Sequence, residues 1–106
     1  MTPAHDHYTI IGEDTPDAKA GNMFGKECFK INGKPFLVYY NQCIVCKLRD
    51  ELHTEVLGLA GTQLFDPAKK NRPMREWIQI PYDYADRWAA FAGASYEYVV
   101  EAMKKG

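Results

Sequence analysis

The sequence lacks long hydrophobic runs, a secretion signal and an even set of cysteines. No segment approaches the about 20 apolar residues that a membrane-spanning helix needs. Residues 1–11 contain early His and Asp and no apolar stretch of the kind that signal peptides carry. The three cysteines are an odd number, which without a secretion signal indicates reduced thiols. We therefore expect a cytoplasmic protein that makes no membrane contact.

An excess of positive charge is also missing. The net charge is −1 over 106 residues, whereas a dedicated nucleic-acid-binding protein usually carries a positive excess that neutralises phosphates. A nucleic-acid role would therefore need a local basic patch. The length predicts a single domain, and a hydrophobic content of 46% is typical of a globular chain.

Complete catalytic motifs are missing as well. The chain has no Gly-rich phosphate loop, no Ser-His-Asp order and no pair of carboxylates on one rigid element. We therefore predict a non-catalytic protein with no catalytic residues, no cofactor and no bound metal.

Local patterns predict a flexible tail followed by one folded domain. Residues 1–21 contain two prolines and a single apolar cluster, so we expect a mobile tail there and a domain over 22–106. Asn32-Gly33 is the strongest short hairpin signal, and a second tight turn is expected at Asn41-Gln42. They separate three β-rich runs that predict an antiparallel meander, with strands at 28–31, 36–40 and 43–48.

A short helix and two further strands are expected next. Asp50 is suited to an N-cap and Gly61 to a helix terminator. Leu52 and Val56 fall on one helical face between them. The following strands are expected at 62–65 and 76–80.

The last helix has the clearest pattern. We expect a cap at Asp83 or Asp86 and an apolar stripe that continues to about residue 104. Ser95 lies within this stripe, where its hydroxyl can bond to a carbonyl of the preceding turn. The predicted order is β-β-β-α-β-β-α, an α+β fold whose antiparallel sheet has its helices packed on one side.

A series of short motifs runs through the expected domain. In chain order these are Met23-Phe24-Gly25, Asn32-Gly33-Lys34, Leu64-Phe65, Arg72-Pro73-Met74, and Trp77 followed by Pro81. The series resembles the TfoX N-terminal domain family, related to the competence regulator TfoX/Sxy. The final helix is also similar to that of the YjbR/MmcQ group, whose members are often named as DNA-binding. The resemblance implies a fold like the secretion-chaperone α+β sandwich. Family members begin with a longer N-terminal helix, which we expect to be reduced or missing here because the tail contains Pro16.

The one dense basic cluster lies in the polar loop between the last two strands. Its members are Lys69, Lys70, Arg72 and Arg75. Such a loop can contact phosphates, and Trp77 just beyond it can stack on a base. The alternatives are a solvated turn and a Trp77 that is packed against the domain.

Cysteines and histidines offer weaker candidates. Cys43-x-x-Cys46 has redox or metal spacing, but in a strand the two side chains point to opposite faces. A zinc site would need further ligands such as Cys28 and His53. His5-Asp6-His7 lies in the expected tail.

Three hypotheses remain open. The first is a non-catalytic binding or regulatory domain that contacts a protein partner or forms a homodimer, since the surplus tyrosines favour protein contacts. The second is nucleic-acid binding through residues 69–75. The third is a small-molecule or thiol enzyme. The tyrosines in question are Tyr39, Tyr40, Tyr82, Tyr84, Tyr96 and Tyr98.

Overall fold

The computed structural model describes residues 2–66 and 74–105, which form an antiparallel sheet with helices packed on one side. The strands are β1 (Lys19–Met23), β2 (Lys26–Ile31), β3 (Lys34–Tyr40), β4 (Cys43–Lys47), β5 (Gln63–Phe65) and β6 (Met74–Pro81). The helices are α1 (Pro3–Asp14), α2 (Asp50–Leu57), a 3-10 turn (Tyr82–Tyr84) and α3 (Ala85–Lys105). The strand order across the sheet is β1-β2-β3-β4-β6-β5. The predicted α+β class is confirmed.

The N-terminal segment is a helix followed by an edge strand, so the prediction of a flexible tail over 1–21 is wrong for the described residues. The Thr2 hydroxyl accepts a hydrogen bond from the His5 N–H and Pro3 opens the helix, which are common starts for α1. Pro16 lies beyond the last turn of α1 and does not shorten it. The helix is held by three residues at 3-4 spacing that are buried in the core: Ala4, Tyr8 and Ile11.

The central meander matches its prediction. Strands β2, β3 and β4 pair antiparallel in sequence order. The turn residues Asn32, Gly33, Asn41 and Gln42 all have positive φ, at 48°, 80°, 50° and 64°. Asn and Gly tolerate this region, which explains why the turns could be located from the sequence.

The expected caps of the second and third helices are wrong. Arg49 is the N-cap of α2, and Asp50 is its first helical residue with φ 57°. Helix α2 ends at Leu57, and the Thr62 hydroxyl bonds to carbonyls of its last turn, including Val56 at 2.9 Å. Gly61, the expected terminator, lies in the turn that follows.

Helix α3 starts immediately after the 3-10 turn. Asp83 lies inside that turn and Asp86 inside the first turn of α3, so neither has the expected cap position. The predicted apolar stripe of α3 is otherwise buried, at Trp88, Phe91 and Val99.

Side-chain alternation divides the sheet into two apolar faces. One face packs against the helices through residues such as Phe29, Leu37, Ile44, Ile78 and Ile80. The other face is called the second face here. It is a separate buried cluster made of Cys28, Val38, Val45, Phe65 and Trp77.

The chain at the end of β5 lies across the second face. The rings of Phe65 and Tyr40 have centroids 5.7 Å apart, although β4 and β6 separate β5 from β3 within the sheet. A break in the β5–β6 register between Leu64 and Phe65 accompanies this bend. The loop that begins after Phe65 therefore starts on the second face.

A β-bulge in β3 explains the one polar side chain in the apolar stripe of α3. Between Phe29 and the next residue of β2 the register shifts, so Phe36 and Leu37 both point toward the helices. The Ser95 hydroxyl is buried there and donates to the Phe36 carbonyl at 2.5 Å. It also accepts from the Lys47 N–H at 2.9 Å. Ser95 therefore bonds across to the sheet, where the sequence predicted a bond within the helix.

None of the helices in the described part of the chain is long and apolar enough to cross a membrane.

Candidate anion-binding surface

Charge is segregated between the two layers of the fold. The six strands carry six basic residues and two acidic ones, whereas α1, α2 and α3 carry nine acidic residues and three basic ones. The basic residues of the strands are Lys19, Lys26, Lys30, Lys34, Lys47 and Arg75. The net charge of −1 is therefore the sum of a basic sheet layer and an acidic helical layer.

The carboxylates of the two acidic strand residues each contact a side chain from a helix. Glu27 contacts the His5 Nε2 of α1 at 2.9 Å, and Glu76 accepts a hydrogen bond from the Tyr98 hydroxyl of α3. Among residues 2–66 and 74–105, the strand lysines make no ion pair with a carboxylate, because the pairs found there involve His5, Arg49 and Arg87. Two of these ammonium groups lie over tyrosine rings, Lys26 over Tyr40 and Lys47 over Tyr98.

Lys19 and Lys30 form a like-charge pair on the β1–β2 hairpin. They are directly opposite in the antiparallel register, and cross-strand like charges are unfavourable. The aliphatic part of Lys30 lies across Gly21, with its Cε 3.2 Å from the point where a Cβ on Gly21 would stand. Glycine at that position leaves room for the Lys30 side chain to lie against β1, with its Nζ 3.6 Å from the same point.

A depression of about 450 Å³ opens between these two lysines. Its lining also includes Asp17, Asn32 and Gly33. Asp17 is the one carboxylate in that lining, and within the described chain it makes no ion pair with either lysine. The depression therefore combines two ammonium groups with turn backbone, a combination that suits an anionic group such as a phosphate.

The predicted basic loop attaches to the same layer. Lys69, Lys70 and Arg72 lie outside the described residues. The ends of the loop, Phe65 and Met74, both belong to the cluster on the second face.

The fourth basic residue of that loop, Arg75, is described. Its side chain is exposed, while its carbonyl accepts from His53 at 2.7 Å. The hydrogen bond fixes the backbone of Arg75, and within residues 2–66 and 74–105 its guanidinium makes no ion pair with a carboxylate.

Trp77 is packed against the domain, which was one of its two predicted alternatives. Its position does not support the other alternative, stacking on a base. It is 6% exposed and lies in the cluster with Val45 and Phe65. A ring covered in this way cannot present its face to a nucleic-acid base.

The three cysteines have the properties of buried thiols. Cys43 and Cys46 point to opposite faces of β4, as the sequence predicted, and Cys28 is buried on β2. Burial raises the pKa of all three thiols, most strongly for Cys46. A raised pKa suppresses the thiolate, which is the reactive form, so the geometry gives no support to thiol chemistry.

The histidines are dispersed. His5 contacts Glu27 on one side of α1, whereas His7 contacts the Ala85 carbonyl at 2.9 Å on the other side. His53 bonds to backbone, as described above. In the described ranges no three His, Cys, Asp or Glu side chains are grouped so that they could hold a metal.

Most of the surplus tyrosines have partners. The Tyr84 hydroxyl donates to the Ala60 carbonyl, Tyr98 binds Glu76, and Tyr39 contacts Thr2. Tyr82 is the exposed member. Phe24 is more exposed than Tyr82: its side chain is 60% exposed at the tip of the β1–β2 hairpin, where its φ is 54°.

Sequence reasoning missed the lysine pair because β1 was not predicted. The segment Lys19–Met23 contains Ala, Gly and Asn, which are weak strand formers. The available signal was the Gly25 turn after Met23, which could have indicated a hairpin with a strand on each side.

No family model, curated protein or solved structure matches this chain.

Proposed function

We propose that this chain is a non-catalytic binding domain whose ligand is a nucleic acid, bound through phosphates on the basic layer of the sheet. The observation that carries this proposal is the charge segregation, with six basic residues on strands whose two carboxylates are occupied by helical groups. Phosphate contacts supply most of the affinity of sequence-independent binding, so a basic patch suffices even at a net charge near zero.

The Lys19–Lys30 pair is the expected centre of the surface. A like-charge pair costs stability in the free protein, and a bound phosphate relieves that cost. The basic loop begins and ends at Phe65 and Met74 on the second face, so we expect it to extend the same contact. The resemblance to the YjbR/MmcQ group, whose members are often named as DNA-binding, is compatible with this ligand.

The test is fluorescence anisotropy with a labelled single-stranded oligonucleotide. With about three phosphate contacts, affinity should fall roughly twentyfold when salt rises from about 50 mM to about 200 mM. Lys30→Glu should weaken binding about tenfold or more. The matched control is Lys104→Glu, which makes the same change in net charge on helix α3.

A second variant separates the loop from the hairpin. Lys69→Glu with Lys70→Glu should also weaken binding if the loop takes part. Affinity that does not change with salt, or binding by Lys30→Glu equal to that of the control, would contradict the proposal. If only the loop variant bound as the wild type does, the site would consist of the hairpin without the loop.

A second candidate function is self-association through β1, which corresponds to the hypothesis of protein contacts. Strand β1 is a sheet edge with small neutral residues at Ala20, Gly21 and Asn22, and such edges can pair with another strand. Antiparallel pairing of two copies about Gly21 would place Lys19 opposite Met23, so it brings no like charges together.

Phe24 supports this second candidate. A bulky residue at positive φ is strained by about 1–2 kcal/mol, and here the ring is exposed. Phe24→Gly should raise the free energy of unfolding and reduce dimer formation, which light scattering can measure against the monomer mass of 12.1 kDa. A wild-type protein that stays monomeric at millimolar concentration would exclude this candidate. For either function we place the domain in the cytoplasm, because all three thiols are unpaired.

A further inference from the structure

A second cavity lies where β3 begins and β4 ends, on the other side of the Asn32-Gly33 turn from the first depression. Its volume is about 420 Å³, within the roughly 300–1,000 Å³ typical of small-molecule sites. The floor is Trp77 of β6, which is opposite Lys47 of β4 in the register. The last turns of α3 form one wall. The lining residues are Lys34, Pro35, Lys47, Trp77, Val99, Ala102 and Met103.

The apolar stripe of α3 extends past the sheet at this point. Val99 is buried, Met103 is half-buried and Ala102 is exposed. The sequence predicted that Ala102 and Met103 would continue the core-facing stripe. Met103 does pack against the core, and both residues also border the cavity, so they are apolar side chains with room for a ligand in front of them.

The charges at the cavity are of one sign. Both ionisable residues in its lining are lysines, Lys34 and Lys47. The Lys47 ammonium lies 5.3 Å from the centre of the Tyr98 ring. In the part of the chain that the structure describes, neither lysine makes an ion pair with a carboxylate.

The cavity stands on fixed backbone. The Lys47 N–H donates to Ser95, which is itself bonded to the Phe36 carbonyl. Lys34 follows the Asn32-Gly33 turn at the first position of β3. The two lysines therefore extend from rigid positions, as a preorganised site requires.

From these features we propose that the cavity binds a small anionic amphiphile, a carboxylate with a hydrocarbon chain. The chain would lie against Pro35, Ala102 and Met103, above the buried Trp77 and Val99, and the carboxylate would accept hydrogen bonds from the Lys34 and Lys47 ammonium groups. Two features of the cavity indicate this ligand. The apolar walls favour a hydrocarbon chain. The two ammonium groups, which have no carboxylate partner in the described residues, favour an anion over an alcohol or a cation. This site goes beyond the proposed nucleic-acid surface, whose centre is the Lys19–Lys30 pair: the two sites are neighbours, since Lys30 is opposite Pro35, but the cavity has apolar walls and takes a different ligand.

The experiment is isothermal titration calorimetry of the full chain with sodium decanoate below its micelle concentration. Decanol and decyltrimethylammonium serve as ligands of the same chain length without the negative charge. We expect saturable binding of decanoate alone, with an affinity at least tenfold above that of either analogue. Lys47→Gln and Lys34→Gln should each weaken it about tenfold, and both keep the backbone of the site.

Two further variants test the location of the site. Ala102→Glu places a carboxylate at the exposed edge of the cavity and should abolish decanoate binding. Ala90→Glu makes the same change at an exposed position of the same helix and should bind as the wild type does. Both positions are exposed, so both variants should fold.

The proposal is overturned if decanoate does not saturate the wild-type protein, if decanol binds equally well, or if both Glu variants have the same affinity. Lys19→Glu, which lies one strand further from the cavity than Lys30, should leave decanoate binding unchanged. Decanoate binding with no oligonucleotide binding would support this site and contradict the proposed function, so the two can fail separately.

Discussion

The hydroxyl of Ser95 in α3 donates a hydrogen bond to the carbonyl of Phe36 in β3, at 2.5 Å. The same oxygen accepts from the backbone of β4 at Lys47. The β3–β4 pairing ends at Leu37 and Cys46, so Phe36 and Lys47 lie just beyond it, and buried backbone groups without partners are costly. A single hydroxyl on the longest helix thus satisfies the irregular end of the β3–β4 pair.

Ser95→Ala should therefore destabilise the fold far more than its size suggests. It leaves a buried N–H and a buried carbonyl unsatisfied, which we expect to cost about 2–4 kcal/mol in total. Urea denaturation measures the change, and Ala90→Ser at an exposed site of the same helix should stay within about 0.5 kcal/mol of the wild type. If Ser95→Ala lowered the free energy of unfolding by less than about 0.5 kcal/mol, water would have replaced the hydroxyl as the partner of the two backbone groups.

Gly12→Ala should be destabilising because α1 is docked tightly on β2. A Cβ at Gly12 would stand 2.1 Å from two carbons of the Phe29 ring, so we expect a loss of about 1–3 kcal/mol from overpacking. Gly93→Ala is the matched control, since a Cβ there meets nothing within 4 Å. That control should gain about 0.5–1 kcal/mol from helix propensity.

The same pair of variants checks whether α1 is part of the fold in solution. If Gly12→Ala raised the free energy of unfolding as Gly93→Ala does, α1 would not be packed on Phe29. Adding Phe29→Leu to Gly12→Ala should recover part of the loss, because it removes the ring that the new methyl group meets.

Stability should fall at alkaline pH through the buried thiols. Burial raises the pKa of Cys46 above the ordinary thiol value of about 8.5, so the folded state retains a proton that the unfolded state loses. The contribution is fully present below about pH 8.5 and is lost as pH rises toward the folded pKa, at up to about 1.4 kcal/mol per pH unit. Urea midpoints measured from about pH 7 to about pH 10 test this expectation.

Cys46→Ala provides the control for the alkaline effect. Its stability at neutral pH should be lower because the side chain leaves a small cavity. Its decline between neutral and alkaline pH should be shallower than that of the wild type. Parallel curves for the two proteins would assign the decline to other groups, such as Tyr8, whose pKa is also raised by burial.

Lys30→Glu should stabilise the fold while weakening oligonucleotide binding. It converts the Lys19–Lys30 like-charge pair into an opposite-charge pair, and we expect a gain of about 0.2–1 kcal/mol. A thermal melt gives the sign of the change, and anisotropy gives the affinity. If Lys30→Glu lowered stability, the two ammonium groups would already be separated in the free protein.

The candidate surface could be predicted only in part. The basic loop at 69–75 was visible because its charges are adjacent in the sequence. The Lys19–Lys30 pair was not, because it depends on the register of β1 against β2. The cavity at Lys34 and Lys47 brings together three strands and the end of α3, which no local pattern indicates.

The sequence by itself determined the elements whose signals are local. Asn32, Gly33 and Asn41 set the turns of the meander through their tolerance of positive φ, and the 3-4 spacing of Trp88, Phe91 and Val99 set the long helix. Tertiary structure decided the contacts between residues that are far apart in the sequence. It ordered α1 through the burial of Tyr8, gave Ser95 its partners at the bulge, and separated the charges of strands and helices into two layers. The physical reason is that propensity and periodicity act within a few residues, whereas register, docking and surface charge depend on groups far apart along the chain.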